Sequence, residues 1–333
     1  MTDPQTHVMP AEEAPHQATF MQWPVHPKVY RDRIFREMVQ QTITDIANAI
    51  AEFEPVYLLA DGAEHRRARR GLSEGVTLWD IPTDDLWCRD AGPIFVQGSD
   101  GTLAQRQIQF NGWGRRQPHR HDAAIAARVA KRLDLPFLPS GLIGEGGGVE
   151  QSGHGLLMAH ESSWVNPNRN PGLSRDEIGA RLCTALGAER IIWSPGLVGE
   201  DITDYHIDSL ARFTGPERVL IALPDRPDPR GPFHKAALET HDILAAAGLE
   251  IEVIPEPTRA RIEHPDFVAS YANYYVCNGA VIAPYFGDAE TDEIAAQALA
   301  RHYPGREIVM LNVDPLGELG GGIHCATQQM PAG

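Results

Sequence analysis

Five short polar segments recur along the chain, each at the same step in an alternation of strand-like and helix-like stretches. One residue in each segment can be taken as a marker, and successive markers are 55, 61, 67 and 52 residues apart. The markers are Asp90, Glu145, His206, Asn273 and Cys325. Units of similar length that repeat one order of elements are typical of architectures built from stacked or circular repeats. The spacing therefore predicts five blades around one axis, with the polar segments meeting at its centre.

Helix and strand patterns alternate between these polar segments. The predicted helices cover 32–53, 121–133, 174–186, 233–247 and 290–303. The third opens with a capping box from Ser174 to Glu177 and ends at Gly187. The predicted strands cover 55–60, 76–81, 218–223, 251–255, 274–286 and 307–311. The apolar face expected for the first helix carries Ile34, Met38, Ile43, Ile46 and Ile50. This alternation indicates an α/β fold, and we expect residues 1–333 to form a single domain.

The charge of the chain restricts its partners. Twenty-nine Lys and Arg residues stand against 45 Asp and Glu residues, a formal net charge of −16. Such an excess of negative charge disfavours nucleic-acid backbones and anionic membranes and suits a cationic small molecule. The sequence shows neither a signal peptide nor an apolar stretch long enough to span a membrane, so we expect a cytoplasmic protein. A homo-oligomer is compatible with the sequence, which does not specify one.

The four cysteines differ in their surroundings. None forms a CxxC pair, so the sequence predicts no zinc or redox motif. Cys325 lies among glycines and polar residues, the context of an accessible nucleophile. Cys183 and Cys277 lie in apolar stretches and are expected to pack in the core. Cys88 borders a polar segment and is expected to be packed or to support the site.

His206 and Asp208 form an H-x-D pair in one of the polar segments. A metal site is one interpretation, but the pair lacks a further cluster of His or Cys ligands, and no metal is predicted. An imidazole titrates near neutrality, so His206 suits a general acid or base. In an extended segment, residues two apart point to the same side, and both side chains can then face one pocket.

Two further carboxylates lie on other polar segments. Asp90 precedes Ala-Gly-Pro, and Glu145 precedes three glycines that allow a close approach of the backbone. Taken singly, each fits a turn or a cap. Together with Cys325 and the H-x-D pair they predict an acidic pocket that contains a thiol. Guanidinium is the planar cation that such a pocket suits best, because carboxylates bind its N–H groups in pairs.

Ten motifs in a fixed order extend over nearly the whole chain. They are MPAEE (9–13), FMQWP (20–24), WCRDAGP (87–93), FNGWG (110–114), EGG (145–147), NPNRNP (166–171), HID (206–208), NGAVIAP (278–284), FGD (286–288) and GGGIHCATQQ (320–329). With these motifs the chain resembles the agmatine deiminases of the guanidine-modifying, or pentein, superfamily, which also includes the related bacterial peptidylarginine deiminases. The resemblance implies a five-bladed β/α propeller of ββαβ-type units. It also implies hydrolysis of a guanidine to a urea and ammonia without metal or cofactor, as in polyamine biosynthesis.

The same resemblance implies a role for each candidate residue. Cys325 would attack the guanidinium carbon and form a covalent thiouronium intermediate. Asp90 and Asp208 would bind the guanidinium nitrogens. His206 would protonate the departing ammonia and then activate water, while Glu145 would orient His206 and stabilise its charge. The bound cation would offset the repulsion between carboxylates and thiolate, so that the thiol ionises when the substrate arrives.

The residues expected to contact the rest of the substrate depart in part from the agmatine deiminase pattern. They are Trp87, Trp113, Arg116, Asp204 and Tyr205. Tyr205 stands where the family usually has glycine, and it is expected to add bulk beside His206. Arg115 and Arg116 follow FNGWG where a second glycine is usual. If either points inward, it favours a substrate carboxylate over the ammonium of agmatine; alternatively, both are solvated on a surface loop.

Several functions fit this sequence. Agmatine, converted to N-carbamoylputrescine and ammonia, is the leading predicted substrate. Free arginine, peptidyl arginine or a guanidino acid is the alternative within the same chemistry. A non-catalytic guanidinium- or polyamine-binding protein would have little reason to keep Cys325, His206, Asp90 and Asp208 together. A cysteine hydrolase acting on amides would need an oxyanion hole and no paired carboxylates around its electrophile.

Overall fold

The computed structural model describes residues 7–226, 228, 231–262, 264 and 267–333. The strands are β1 (His16–Gln22), β2 (Val56–Ala60), β3 (Val76–Asp80), β4 (Ile94–Gln97), β5 (Leu103–Gln109), β6 (Phe137–Ile143), β7 (Val149–Gln151), β8 (Leu156–His160), β9 (Arg190–Ser194), β10 (Ala211–Gly215), β11 (Arg218–Leu223), β12 (Glu250–Pro255), β13 (Tyr275–Cys277), β14 (Ala280–Pro284), β15 (Glu307–Leu311) and β16 (Thr327–Pro331). The helices are α1 (Arg33–Ala51), α2 (His65–Ala68), α3 (Cys88–Ala91), α4 (Gly112–Arg115), α5 (Ile125–Leu133), α6 (Glu161–Trp164), α7 (Arg175–Leu186), α8 (Pro232–Ala246), α9 (Ala289–His302) and α10 (Asp314–Gly317). Single 3₁₀ turns cover Asp122–Ala124, Gly146–Gly148 and Ile207–Ser209.

Across the described residues, the strands form five sheets, four of which are built alike. Each of these four is an antiparallel hairpin followed by a helix and a third strand parallel to the second. They are β4–β5–β6, β7–β8–β9, β10–β11–β12 and β13–β14–β15. In the fifth sheet, β16 pairs antiparallel with β1, and β2 and β3 continue parallel to β1. The α/β class is confirmed, and strands from the two ends of the chain share one sheet.

Five apolar clusters connect these sheets pairwise. Each cluster combines buried side chains from one sheet with those of the next along the chain, together with a helix that packs on them. The largest cluster joins the sheet β13–β14–β15 to the sheet that contains β1 and β16. The packing contacts therefore run through all five sheets in sequence order and return to the first.

The five predicted helices are confirmed, with ends that differ by at most two residues except at α5. There the first part of the predicted span forms the 3₁₀ turn Asp122–Ala124, and the α-helix begins at Ile125. The capping box of α7 is present, because the Ser174 hydroxyl accepts from the N–H of Glu177 while the Glu177 carboxylate accepts from the N–H of Ser174. Gly187 ends α7 in the left-handed conformation.

The buried face of α1 was predicted wrongly at its first turn. Val39, Ile43, Ile46 and Ile50 are buried, whereas Ile34 is 70 % exposed and Met38 48 % exposed. Successive helical residues are about 100° apart around the axis. Met38 therefore points well away from the line of Val39, Ile43, Ile46 and Ile50, and Ile34, one turn earlier, shares the direction of Met38.

The predicted strand 274–286 is two strands. β13 and β14 form a hairpin around Asn278 and Gly279, and Gly279 has a positive φ of 81°. Asn-Gly is the dipeptide that a two-residue hairpin turn favours. Nine of the described strands, β1, β4 to β10 and β16, lie outside the predicted strand spans. Among them, β4, β7 and β10 are the first strands of hairpins, and each has only three to five residues and follows a polar segment.

None of the helices in the part of the chain that the structure describes has the length and apolar character needed to cross a bilayer.

Candidate active site

The five polar segments occupy equivalent positions in the five sheets. Asp90, Glu145, His206, Asn273 and Cys325 each lie a few residues before the first strand of an antiparallel pair, which is β4, β7, β10, β13 and β16 in turn. Because the first strands are equivalent, the marker side chains meet at one place. Hydrogen bonds or close contacts link Asp90 with His206, His206 with Glu145, and Asn273 with Cys325.

His206 is buried between two carboxylates. Its Nε2 lies 3.3 Å from Glu145 Oε2, and its Nδ1 lies 3.6 Å from Asp90 Oδ1. Burial disfavours the imidazolium, but the charges of Asp90 and Glu145 outweigh it and raise the pKa of His206 to about 9. The imidazole is therefore protonated at neutral pH and holds a proton that it can donate. Glu145 is fixed in turn by Arg169, whose Nε lies 3.1 and 3.2 Å from its two oxygens.

Asp90 is held by two donors. The Trp113 indole N–H donates to Oδ2 at 2.8 Å, and the Gly147 backbone N–H donates to Oδ1 at 3.1 Å. Burial raises the pKa of Asp90 to about 6, because it outweighs the opposing charge of His206, and nearby Asp208 and Glu145 add to the rise. The side chain is thus fixed in orientation within a strongly acidic site.

Asp208 has one satisfied oxygen and one free oxygen. Its Oδ2 lies 2.8 Å from His324 Nδ1, whereas Oδ1 is buried and has no hydrogen-bond partner among the described residues. Burial favours the neutral acid, but the contact with His324 outweighs it, and the pKa of Asp208 lies below its usual value. A buried acceptor without a donor costs about 1–3 kcal/mol. The free Oδ1 is therefore ready for a donor supplied by a ligand.

Cys325 is half-buried, and its sulfur lies close to Asp208. The distance from Sγ to Asp208 Oδ2 is 3.6 Å, and Asn273 Nδ2 donates to Sγ at 3.0 Å. Burial, together with the charges of Asp208 and Asp90, raises the pKa of the thiol well above its usual value. These effects oppose ionisation of the thiol, and a cation bound between the carboxylates would favour it.

A scan against protein-family models matches residues 8–331 to the Porphyromonas-type peptidyl-arginine deiminases. This chain belongs to that family. It is 37 % identical over 339 residues to a Streptomyces coelicolor protein named "Putative agmatine deiminase", with 98 % of this chain and 99 % of the relative covered. It also resembles the solved agmatine deiminase of Enterococcus faecalis, with a TM-score of 0.90, 26 % identity, and 100 % and 99 % of the two chains covered.

More distant likenesses concern the fold alone. A solved dimethylarginine dimethylaminohydrolase has a TM-score of 0.55 at 14 % identity, with 95 % of this chain and all of that chain covered. The chain therefore shares the α/β fold of that hydrolase as well as that of the agmatine deiminase.

In this member of the peptidyl-arginine deiminase family, the backbone at Gly147 lies in the middle of the acidic site. A Cβ added there would lie 2.8 Å from Asp90 Oδ1, 2.9 Å from Asp208 Oδ2 and 2.9 Å from His206 Nδ1. No such contact is tolerated without movement of these side chains. The glycine in this motif is therefore required for close packing of three candidate catalytic groups.

Gly147→Ala is expected to lower kcat/KM about 10- to 100-fold, because overpacking of this kind costs about 1–3 kcal/mol and falls on the reacting groups. Gly215→Ala is the matched control, since a Cβ there meets only Arg218 Cβ at 3.7 Å. Steady-state kinetics of both variants, with thermal unfolding as a check on folding, give the measurement. Equal activity of the two variants would show that the site can accommodate a methyl group at Gly147.

Glu145→Gln tests the electrostatic link to His206. Loss of the Glu145 charge is expected to lower the pKa of His206 from about 9, so that the imidazolium persists over a narrower pH range. We expect kcat to fall about tenfold or more, with a smaller change in KM, because the partner of Glu145 is His206. NMR titration of His206 and the pH profile of kcat measure this. Glu161→Gln, in an exposed pair with Arg175, is the control; an unchanged His206 titration would contradict the link.

The two predicted tryptophans line the Asp90 side of the site. Trp113 is buried, holds Asp90 and packs edge-to-face on Phe110 with ring centroids 4.9 Å apart. Trp87 is half-buried against the same cluster, and a Cβ on Gly321 would lie 2.5 Å from its ring. Contact of Trp87 or Trp113 with substrate stays a prediction, whereas the support that Trp113 gives to Asp90 is a feature of the structure.

The geometry does not support substrate contact by Asp204. Its carboxylate is fully buried and accepts from Arg116 at 2.9 Å, from the Gly199 N–H at 2.8 Å and also from Arg169. Arg116 donates further to the carbonyls of residues 201 and 202, both at 2.9 Å. Asp204 and Arg116 thus join two loops, and Arg116 is committed to protein partners. Arg115 is exposed.

Tyr205 does not add bulk beside His206. Its ring stacks on His160 with centroids 4.7 Å apart and meets Phe233 edge-on at 5.2 Å, within an apolar cluster that includes α8. Its backbone has a positive φ of 66°, like that of Asp204 at 60°. This left-handed turn sends the tyrosine ring into the core while the next side chain, His206, enters the site. The expectation that Tyr205 adds bulk beside His206 was therefore wrong.

The remaining cysteines agree with their expected environments at two of three positions. Cys88 and Cys277 are buried, and burial raises the pKa of both thiols. Cys183 is half-buried at the edge of the cluster around α7 and is less enclosed than predicted. Among the described residues, no group of three or more His, Cys, Asp or Glu side chains has an arrangement that could hold a metal ion.

Several supporting residues received no role in the sequence analysis. His324 bridges Asp208 and Glu12, with 2.8 Å on each side. Glu12 also pairs with Arg212 at 2.8 Å and with Arg89 at 3.3 Å. Arg169 and Asn273 are the other supporting residues that received no role. Glu12, Arg169 and His324 lie in motifs that carry the family resemblance, which was the available signal, but the motifs alone do not say which partner each side chain meets.

Proposed function

We propose that the chain is a guanidine deiminase that hydrolyses agmatine to N-carbamoylputrescine and ammonia. The observation that carries the proposal is the buried Oδ1 of Asp208, which has no hydrogen-bond partner in the described part of the chain. The thiol of Cys325 lies 3.6 Å from the other oxygen of the same carboxylate. A guanidinium supplies N–H donors for such an oxygen, and its carbon is an electrophile that a thiolate can attack. Asp90, on the other side of His206, is the second carboxylate for the cation.

Binding of the cation prepares the nucleophile. The carboxylates of Asp90 and Asp208 oppose ionisation of Cys325 in the empty site. A guanidinium between them offsets this charge, so that the thiol loses its proton to solvent as substrate binds. The thiolate then attacks the guanidinium carbon and forms a neutral tetrahedral intermediate, in which Asp90 and Asp208 keep the nitrogens in place.

His206 supplies the proton for the first bond cleavage. It is protonated at neutral pH, since its pKa is raised to about 9. Transfer of this proton to one nitrogen releases ammonia as the C–N bond breaks, and leaves a thiouronium cation on Cys325. The neutral imidazole is then next to the electrophilic carbon, with Glu145 to stabilise the charge that it regains in the next step.

Water completes the reaction. The neutral His206 takes a proton from water as the oxygen attacks the thiouronium carbon. The second tetrahedral intermediate expels the Cys325 thiolate and loses its hydroxyl proton to solvent, which gives the ureido product. His206 is protonated again, and the Cys325 thiolate takes up a proton from solvent as the product leaves, which restores the first state of the enzyme. Every step is acid–base or nucleophilic chemistry of the side chains named above.

The choice of agmatine rests on the hydrogen bonds that Arg116 makes within the protein. A substrate carboxylate would need a free cation, and Arg116 is engaged with Asp204 and two carbonyls. The net charge of −16 also favours a substrate with a second positive charge. Arg116→Ala is therefore not expected to reverse the order of substrates, although it loosens the loop that leads to His206.

We also propose that the five sheets are the blades of a propeller within one domain. The support is the pairwise chain of apolar clusters that passes through all five sheets and returns to the first. Equivalent blades explain why equivalent loops meet at one site. The cytoplasmic location of the protein stays a prediction.

A substrate panel tests the proposed function. Agmatine, arginine, a peptide that contains arginine, and small guanidino acids are each assayed for ureido product and for ammonia. We expect both products in equal amounts, with the highest kcat/KM for agmatine. Preference for a guanidino acid would overturn agmatine as the proposed substrate but would leave guanidine deimination as the reaction class. Absence of a ureido product from every member would overturn deimination and favour a binding protein or an amide hydrolase.

A further inference from the structure

Asn273 makes three hydrogen bonds to the loop that carries the candidate nucleophile. Its side-chain Nδ2 donates to Cys325 Sγ at 3.0 Å, and its Oδ1 accepts from the Cys325 backbone N–H at 3.3 Å. Its backbone carbonyl accepts from the N–H of His324 at 3.2 Å. The residue is 1 % exposed. One buried asparagine thus holds both the backbone and the sulfur of Cys325.

These contacts determine which way the amide of Asn273 faces. A backbone N–H can only donate, so the side-chain atom that faces the N–H of Cys325 must be the oxygen. The amide nitrogen is then the atom that faces sulfur, and it donates to Sγ. An N–H donor to sulfur stabilises the thiolate more than the thiol, because hydrogen bonds to a charged acceptor are the stronger ones.

The segment that carries Asn273 is itself fixed. Arg212 donates to the carbonyls of Ala272 and Tyr274 on either side of it, at 3.4 and 2.6 Å. Arg212 is fully buried, pairs with Glu12 at 2.8 Å and lies over the ring of Tyr274 at 4.8 Å. The amide of Asn273 is therefore presented to sulfur by a rigid backbone.

The opposite loop leaves room for this amide. A Cβ on Gly322 would lie 2.5 Å from Asn273 Oδ1. A glycine at this position lets the Cys325 loop come within hydrogen-bonding distance of Asn273. The glycine at 322 and the buried amide of Asn273 thus both allow the contact between Asn273 and the Cys325 loop.

We propose that Asn273 is a further catalytic residue, which fixes the Cys325 sulfur for attack and stabilises its thiolate against the nearby carboxylate of Asp208. This inference rests on the proposed function, because it takes Cys325 as the nucleophile. Asp208 Oδ2 lies 3.6 Å from Sγ and opposes the negative charge. Asn273 Nδ2, at 3.0 Å, is the closer group and has the opposite effect, since it lowers the pKa of the thiol.

The test is the pH dependence of alkylation of Cys325 by iodoacetamide in the absence of substrate. Modification is followed by mass spectrometry of the peptide that contains Cys325, because Cys183 is also partly exposed. Asn273→Asp keeps an oxygen for the Cys325 N–H and replaces the donor to sulfur by a carboxylate oxygen. Asn273→Ser removes the donor without adding charge.

We expect the midpoint of alkylation to move to higher pH in both variants, by about one unit or more in Asn273→Asp. Below the midpoint, the rate at a given pH then falls about tenfold or more. Asn273→Ser is expected to move the midpoint by less in the same direction, and it carries the test alone if Asn273→Asp does not fold. The kcat of both is expected to fall more than KM changes.

Asn278→Asp is the matched control. The Asn278 amide also accepts from one backbone N–H and donates to one acceptor, both on His16, at 3.0 and 2.8 Å, with no contact to Cys325. An unmoved alkylation midpoint in folded Asn273 variants would overturn the inference, even if turnover is lost. Failure of the proposed function would be seen differently, as an active Cys325→Ser enzyme or as a wild-type enzyme that forms no adduct with substrate. Because alkylation of Cys325 does not depend on turnover, the two failures can be told apart.

Discussion

Cys325→Ser is expected to abolish release of ammonia from agmatine while the protein stays folded, with kcat lower by about a thousandfold or more. A serine hydroxyl is far less readily ionised than a thiol, and two features of the site oppose its ionisation further. Asp208 lies 3.6 Å from the sulfur, and burial opposes an anion in this position. The variant loses the proposed attack step and leaves Asp90 and Asp208, the proposed ligands of the cation, in place, so agmatine is still expected to bind.

Two measurements separate loss of chemistry from loss of structure. Thermal unfolding of Cys325→Ser should match that of the wild type, and Cys183→Ser, which changes a half-buried thiol on α7, should keep full activity. Mass spectrometry of rapidly quenched wild-type enzyme should show a covalent adduct on the peptide that contains Cys325. Substantial turnover by Cys325→Ser would contradict the mechanism.

Asp208→Asn is expected to lower kcat/KM at least about a hundredfold, or roughly 3 kcal/mol, through the loss of a charge-assisted hydrogen bond to guanidinium. The substitution keeps the shape of the side chain but removes the charge that holds the cation and favours its electrophilic form. Because Oδ1 accepts no hydrogen bond from any described residue, the effect should include both weaker binding and misplacement of the guanidinium carbon.

Asp90→Asn should lower kcat/KM to a similar extent if both carboxylates bind the cation. The control is Asp176→Asn, whose side chain is 92 % exposed on the first turn of α7. Near-normal kcat/KM in Asp208→Asn or Asp90→Asn would remove that residue from the set of guanidinium ligands. A loss in Asp208→Asn together with an unchanged Asp90→Asn would point to a cation held by Asp208 alone.

Part of the order of elements was accessible from the sequence because it depends on local properties, namely the five long helices and seven of the sixteen described strands. Periodicity and capping residues predicted the five long helices, and turn residues bounded the six strand regions. The repeated polar segments lie just before equivalent strands, so their spacing alone predicted that Asp90, Glu145, His206 and Cys325 would come close together. Their chemical types, a thiol, an imidazole and carboxylates, then limited the ligand to a cation.

The partners of each side chain depended on long-range packing, which local patterns do not contain. Asn273 was a marker of spacing, and only the approach of the Gly322–Cys325 loop makes it a donor to sulfur. The sequence left open whether Arg116 faces a substrate. In the structure, Arg116 donates to Asp204 and to two carbonyls, all in the loop before His206.

Sequence by itself therefore determined the class of fold, the position of the site along each repeat, and the residue types that it offers to a ligand. Tertiary structure alone decided the direction of Tyr205, which a positive φ turns into the core. It also decided the contacts of Asp208, whose Oδ2 meets His324 while its Oδ1 has no hydrogen-bond partner among the residues that the structure describes. Side-chain direction after a left-handed turn and the satisfaction of a buried acceptor both depend on groups distant in sequence. No periodicity or motif spacing carries that information.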